Sequence, residues 1–477
     1  MRRHARTAAV ALVLLTACPP TLAMAAVGTP QLDGIKLGGW WVVPFAGLLL
    51  SIAILPLAAP QLWHHHFGKI SAAWALLFLI PCTLIYGLPI ASYELLHTVM
   101  LEYIPFLILL FALFTVAGGV LITGNLHGSP LLNTSILAIG TGIASITGTT
   151  GAAMLLIRPI IRANDNRLHN VHVIVFFIFL VANIGGSLTP LGDPPLFLGF
   201  LKGVDFFWPA MNMLKPMLLV ATILLAVFFV LDWYLFSIDK DYPPKPDPTP
   251  DNRIRIEGWL NVALLGAIIA MVLLSGIWKP GIGVTVHHIG IELQNVVRDV
   301  ALLMITLISW QVTPSSIREG NGFSWAPIAE VAKLFAGIFI TIIPAIAILR
   351  AGTKGALQPL VSLVTDAQGQ PINAMYFWLA GGLSSFLDNA PTYLVFFNMA
   401  GGDPQQLMGP LTTTLLAIAA GSVFMGANTY IGNAPNFMVK AIAEERGIKM
   451  PSFFGYMAWS CGFLIPCFLL VTWVFFR

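Results

Sequence analysis

The stretch GGSLTPLGDPP, residues 185–195, lies between the apolar runs VIVFFIFLVANI (173–184) and LFLGFL (196–201). It holds Gly185, Gly186 and Gly192, the consecutive prolines Pro194 and Pro195, and one carboxylate, Asp193. A regular membrane helix does not tolerate that composition. Proline removes amide donors and clashes with the preceding turn. An ionised Asp at the bilayer centre costs at least about 2.5–3.5 kcal/mol on insertion scales. Irregular backbone at that depth survives only where it is buried in protein or lines a cavity. The stretch therefore predicts a broken helix built around a polar site.

The flanks supply the membrane. The chain has 477 residues, 57% hydrophobic and 9% charged, against roughly 25% charged in a soluble domain. Apolar stretches of about 20 residues recur, each long enough to cross a bilayer. The fold class expected is an all-α polytopic membrane protein. A net charge of +3, thinly spread over loops, gives no footprint for nucleic acid. Cys18, Cys82, Cys461 and Cys467 have no metal-site or disulfide spacing, so no metal or cofactor is expected. Residues 1–25 read as a signal peptide: basic MRRHAR, apolar TAAVALVLLTA and the small-residue site Ala23-Met24-Ala25. LTAC at 15–18 also resembles a lipoprotein box, and an uncleaved first helix is a third reading.

Spans are predicted near 40–59, 72–92, 102–123, 171–206 (interrupted), 214–236, 258–279, 298–313, 327–350, 410–446 (interrupted) and 453–475. The stretches 131–158 and 374–398 have polar centres, SITGTTGAA (145–153) and SSFLDNAPT (384–392). Each is too short for two crossings at 1.5 Å per residue, so each is predicted to be a re-entrant hairpin. Starting outside, the cytoplasmic loops then collect Lys69, Arg158, Arg162, Arg167, Arg318, Arg446 and Lys449 among others, and the outer loops Lys202, Lys215, Lys279, Arg298, Arg350 and Lys354. This positive-inside bias requires hairpin one to open to the cytoplasm and hairpin two to the outside. His64 to His66 read as a polar turn at the cytoplasmic face, and His127 as a loop residue.

Opposed hairpins are the signature of an inverted repeat, and the sequence repeats. A shift of 240 residues lays Ser145 on Ser385, Gly186 on Gly426, Thr189 on Thr429, Gly192 on Gly432, Pro195 on Pro435 and Phe197 on Phe437. Two inverted repeats follow, 26–238 and 258–477, joined by a Pro-rich charged linker at 239–257. The second break, GANTYIGNAPN at 426–436, repeats the device of the first. Gly192 is expected to supply backbone angles closed to other residues, and Pro194 and Pro195 to free carbonyls and start a half-helix.

Broken helices in such repeats bind ions near the midplane. The first half offers Thr149, Thr150, Thr189 and Asp193, the second Asp388, Asn389, Thr429 and Asn433. Hard oxygen ligands of this kind suit Na+ or a proton. Each residue also has a structural reading. Thr in membrane helices often bonds neighbouring helices, and Asp193, Asp388, Asn389 and Asn433 are all able to cap half-helices.

The motifs GGSLTPLGDPP, SSFLDNAPT and GANTYIGNAPNF resemble the ion transporter superfamily, which includes D-type Na+/H+ antiporters, arsenite permeases, citrate–metal carriers and Na+-dicarboxylate carriers. The resemblance covers nearly all of the mature chain. It implies two inverted repeats, each tip meeting the broken helix of its own half, and a homodimer in the bacterial inner membrane. The dicarboxylate carriers have Ser-Asn-Thr at both tips; this chain has Thr149-Thr150-Gly151 and Asp388-Asn389-Ala390, closer to the antiporters and arsenite permeases. The expected function is Na+/H+ exchange by alternating access, with Asp193 and Asp388 holding cation or proton. The alternative is cation-coupled transport of citrate or another organic anion. Intramembrane aspartyl proteolysis, a shared-proton chemistry of two acids, does not fit. Such enzymes resemble one another in a Gly-x-Gly-Asp motif, and Pro190 occupies its first position. A passive channel would need both tips open together.

Overall fold

A computed structural model describes residues 31–125, 127–239 and 252–477. The predicted signal peptide and most of the predicted linker lie outside the described residues. The helices run α1 (Val43–Ala58), α2 (Pro60–Tyr86), α3 (Leu88–Ala117), α4 (Pro130–Thr147), α5 (Thr149–Ala163), α6 (Val171–Leu180), α7 (Pro194–Leu201) and α8 (Trp208–Asp239). They continue as α9 (Trp259–Ile277), α10 (Leu293–Val312), α11 (Ala326–Arg350), α12 (Asn373–Phe386), α13 (Asn389–Met399), α14 (Thr412–Met425), α15 (Ala434–Glu445) and α16 (Phe453–Phe475). Ten of the described helices are long and apolar enough to cross a membrane. The chain is an all-α polytopic membrane protein.

Both hairpins form. Pro130–Thr147 packs on Thr149–Ala163, and Asn373–Phe386 on Asn389–Met399. The first tip turns at Gly148, whose φ of 79° belongs to the left-handed region that glycine enters without penalty. The second tip turns through extended Leu387 and Asp388 instead, so its counterpart position has no need of glycine. Both predicted breaks are present. α6 gives way to a 3-10 turn at Ile184–Leu188 before α7, and α14 to one at Gly426–Asn428 before α15.

Packing follows composition. Val173 to Leu180 of α6 are all buried, as a helix apolar on every face requires. One apolar cluster joins α6, α8, α12, α14 and α16; another joins α1, α3, α7, α9, α10 and α11. The close approach of α12 to α14 needs Gly421, where a Cβ would stand 2.5 Å from the Phe377 carbonyl oxygen.

Several boundaries differ from the sequence reading. Ala59 alone separates α1 from α2, so His64 to His66 lie in the first turns of α2 rather than in a turn. Lys69 also lies within α2, and Arg298 is buried in α10 rather than in a loop. The span expected at 72–92 ends at Tyr86, because Gly87 (φ 86°) and Pro89 start a new helix. That helix, α3, contains a π-helical turn at Val99–Tyr103. Two antiparallel ribbons were not anticipated. β1 (Leu121–Asn125) pairs with β2 (Asn252–Glu257), the latter inside the predicted linker, and β3 (Gly283–Val286) pairs with β4 (Ile289–Glu292).

A buried polar cluster ties the base of hairpin one to α8. Asp232 accepts from Arg167 at 2.5 Å, from His172 at 2.8 Å and from Asn133 at 2.9 Å. Asn133 and Asn164 exchange hydrogen bonds at 2.8 Å. Asp232 is fully buried. Breaking a buried pair by removing one partner typically costs about 3–5 kcal/mol. Asp232→Ala is therefore expected to destabilise the purified protein by that order, read as a lowered midpoint in thermal unfolding in detergent. An unchanged midpoint would remove the cluster from the scaffold.

Candidate functional site

The two breaks are held open by the same bonds. In the first half, the Ser145 hydroxyl donates to the Gly185 carbonyl at 2.6 Å, the Thr189 hydroxyl donates to the Ser145 carbonyl, and the Leu191 amide donates to Thr189 Oγ1 at 3.1 Å. In the second, Ser385 donates to Met425 at 3.1 Å, Thr429 to the Ser385 carbonyl at 2.5 Å, and the Ile431 amide to Thr429 Oγ1 at 3.2 Å. Every second-half residue stands 240 positions after its counterpart. Thr189 and Thr429 thus fasten break to hairpin; neither hydroxyl reaches a carboxylate. The glycines at the breaks answer a steric need. A Cβ on Gly192 would stand 2.1 Å from the Gly186 carbonyl oxygen, and one on Gly432 2.5 Å from that of Gly426. Gly192 is not among the positive-φ residues, so its expected role in special backbone angles is corrected to one of close approach.

Asp193 sits at the N-cap position of α7 with extended backbone (φ −143°, ψ 144°), yet its side chain makes no capping bond. Pro194 and Pro195 fill the first two helical positions and carry no N–H, which leaves the carboxylate free to turn elsewhere. It accepts from the Thr149 hydroxyl at 3.0 Å, from the Asn433 amide at 3.0 Å and from the Asn389 amide. Thr149 comes from tip one, Asn389 from tip two and Asn433 from break two. Thr149 and Asn389 are 240 residues apart, as are Asp193 and Asn433. All four elements converge on one carboxylate, rather than forming one carboxylate site per half. The four side chains are at most 2% exposed.

Asn433 occupies the N-cap of α15 without a side-chain cap bond. Asn389 is the first residue of α13; the cap there is Asp388, which accepts from the Ala390 amide at 3.0 Å. The capping reading therefore holds for Asp388 and fails for Asp193, Asn389 and Asn433. Asp388 is half-buried and makes no hydrogen bond to the Asp193 group. Thr150 and Pro435 line a cavity of about 100 Å³ beside Asp193 without bonding to the carboxylate.

Two residues of the site escaped the sequence reading. Asn183 donates to Asn436 Oδ1 at 2.7 Å and accepts from Asn433 at 3.2 Å. Asn436 donates to the Gly426 and Thr429 carbonyls at 2.8 and 2.9 Å. Their signal was an amide inside an apolar run, VANIGG, and a third Asn following NAP. One acceptor, Asn389 Oδ1, is buried without a donor among the described residues.

Residues 34–476 match a protein family described as "Putative citrate transport". The chain belongs to that family. Its membership agrees with the ion transporter superfamily resemblance carried by the breaks and tips, and the chain is a membrane transporter rather than an enzyme. Among curated proteins it is similar to an "Uncharacterized transporter" of Mycobacterium bovis and one of Mycobacterium tuberculosis, each 27% identical over 332 residues, 67% of this chain and 71% of theirs. It is also similar to a "46 kDa membrane protein" of Mycobacterium leprae, 22% identical over 325 residues, with the same coverage.

The site makes a stability prediction. A buried acceptor that loses a donor costs roughly 1–3 kcal/mol. Thr149→Val is expected to lower the thermal midpoint at neutral pH by that order, and Thr149→Ser, which keeps the hydroxyl, to stay close to the native protein. Equal midpoints for the two variants would separate Thr149 from the carboxylate.

Proposed function

We propose that the chain exchanges Na+ for H+ across the bacterial inner membrane by alternating access, with Asp193 holding the two cations in turn. One observation carries this reading: a carboxylate 1% exposed whose hydrogen-bond partners are all neutral. No Lys, Arg or His pairs with it among the described residues. A charge buried without a counter-charge costs several kcal/mol even after relaxation, and three neutral donors offset only part of that. A bound proton or Na+ removes the cost. Two monocations competing for one carboxylate displace each other, which is the logic of exchange.

The shell suits Na+ chemically. Carboxylate, hydroxyl and amide oxygens are hard ligands. Asn389 already has a carbonyl oxygen without a donor, and a half-turn of the Asn389 and Asn433 amides would present both oxygens to a cation. Asp388, at the second tip, is a reserve acid one residue from Asn389. The recurrence of the same hydrogen bonds at a spacing of 240 residues supports the division into repeats 26–238 and 258–477, with site residues paired across it.

A second reading has its own support. The family description favours citrate, and half-helix N-termini attract carboxylates without help from Lys or Arg. In that reading Asp193 holds the coupling cation and the organic anion binds beside it. The two readings separate in inverted membrane vesicles with an acid interior. Na+ or Li+ is expected to dissipate the pH gradient rapidly, and Asp193→Asn to abolish the effect. No response to Na+ together with uptake of labelled citrate would overturn exchange in favour of the anion.

A further inference from the structure

Two cavities lie at opposite ends of the same three helices. The first, about 380 Å³, is lined by His97 and Glu102 of α3, by Lys202 just after α7, and by Ile342, Ile346 and Arg350 of α11. The second, about 100 Å³, is lined by Leu109 and Leu113 of α3, by Asp193 and Phe197 around the start of α7, and by Ile328 and Val331 of α11. They share no lining residue. Loop charge assigns the first to the outside and the second to the cytoplasmic side.

The residues between them continue the same faces. On α3, Glu102, Phe106, Leu109 and Leu113 recur at helical spacing, and on α11 so do Val331, Phe335, Phe339, Ile342 and Ile346. Where the two stripes meet, their middles interlock. Phe106 stacks on Phe335 with ring centroids 4.7 Å apart and meets Phe339 edge-on at 5.7 Å. All three rings are buried. Tyr103 packs along the layer, with its ring 6.1 Å from Phe339 and its hydroxyl donating to the Ala332 carbonyl at 2.9 Å. Lys202 and Glu102 form an ion pair that joins the end of α7 to α3 at the floor of the outer cavity.

We propose that the two cavities are the outer and inner halves of one permeation route along α3, α7 and α11, and that Phe106, Phe335 and Phe339 form the apolar barrier between them. A close-packed aromatic layer leaves no room for water or a hydrated ion. Val331 and Ile342 bracket it on α11, so it is about 16 Å thick at 1.5 Å per residue. Asp193 then stands on the cytoplasmic side of the barrier, and the polar outer cavity is where solute meets or leaves the route. The proposal rests on the chain being a transporter and not on which ion or anion it carries.

The test uses full-length chain with Cys18, Cys82, Cys461 and Cys467 replaced by Ser, carrying Ile346→Cys or Val331→Cys. A membrane-impermeant maleimide is applied to right-side-out and inverted vesicles. Ile346→Cys is expected to react much faster from the outside than from the inside, and Val331→Cys much faster from the inside than from the outside, whatever the substrate. Adding Phe335→Ala or Phe106→Ala is expected to raise the outside rate at Val331→Cys at least about tenfold, as a packed layer loses a ring. Equal rates at Val331→Cys from the two sides with all rings intact would overturn the proposal. So would an unchanged outside rate in both alanine variants. The sidedness with intact rings stands as a test even if an alanine variant does not reach the membrane.

Discussion

A single carboxylate, held without a cationic partner among the described residues, organises this molecule. Asp193 is placed by one broken helix and contacted by the tip of each hairpin and by the other break. None of the four elements would be stable alone at membrane depth, because each interrupts its own hydrogen-bond ladder. They satisfy one another: the Thr149 amide donates to the Gly192 carbonyl at 2.8 Å, and Ser145, Thr189, Ser385 and Thr429 bind breaks to hairpins. What these bonds do not supply to Asp193 is a counter-charge: its three donors are neutral.

Much of this was legible because membrane physics leaves few options. Gly and Pro next to an acid within an apolar run have no place facing lipid, so both breaks and both hairpins could be drawn from sequence. The spacing of 240 residues carried over to matched hydrogen bonds. Details set by three-dimensional contact were less legible. Asp193 and Asp388 looked equivalent, since each is an acid at a polar interruption. They part because Pro194 and Pro195 withhold the amides that would capture Asp193, whereas the Ala390 amide captures Asp388. Convergence on one centre depends on how the halves dock, which no spacing reveals.

Other polar groups were overlooked for a simpler reason. Asp232 lies in VLDWYLF, an intramembrane acid by the same criterion that singled out Asp193, but without Gly or Pro beside it. Its partners Arg167 and His172 are distant in sequence. Arg318, a loop residue by charge distribution, is buried and donates to the Thr115 and Ser309 carbonyls at 3.0 and 3.1 Å. These groups fix helix ends and scaffold contacts, whereas the contacts around Asp193 are all neutral.

Exchange requires that Asp193 trade a proton for a cation. Purified protein in weak buffer, titrated with NaCl at constant ionic strength while released protons are counted, would answer this. About one proton released per Na+ bound, with both signals lost in Asp193→Asn and Na+ binding retained in Asp388→Asn, is the predicted result. Na+ binding and proton release that persist unchanged in Asp193→Asn would contradict it.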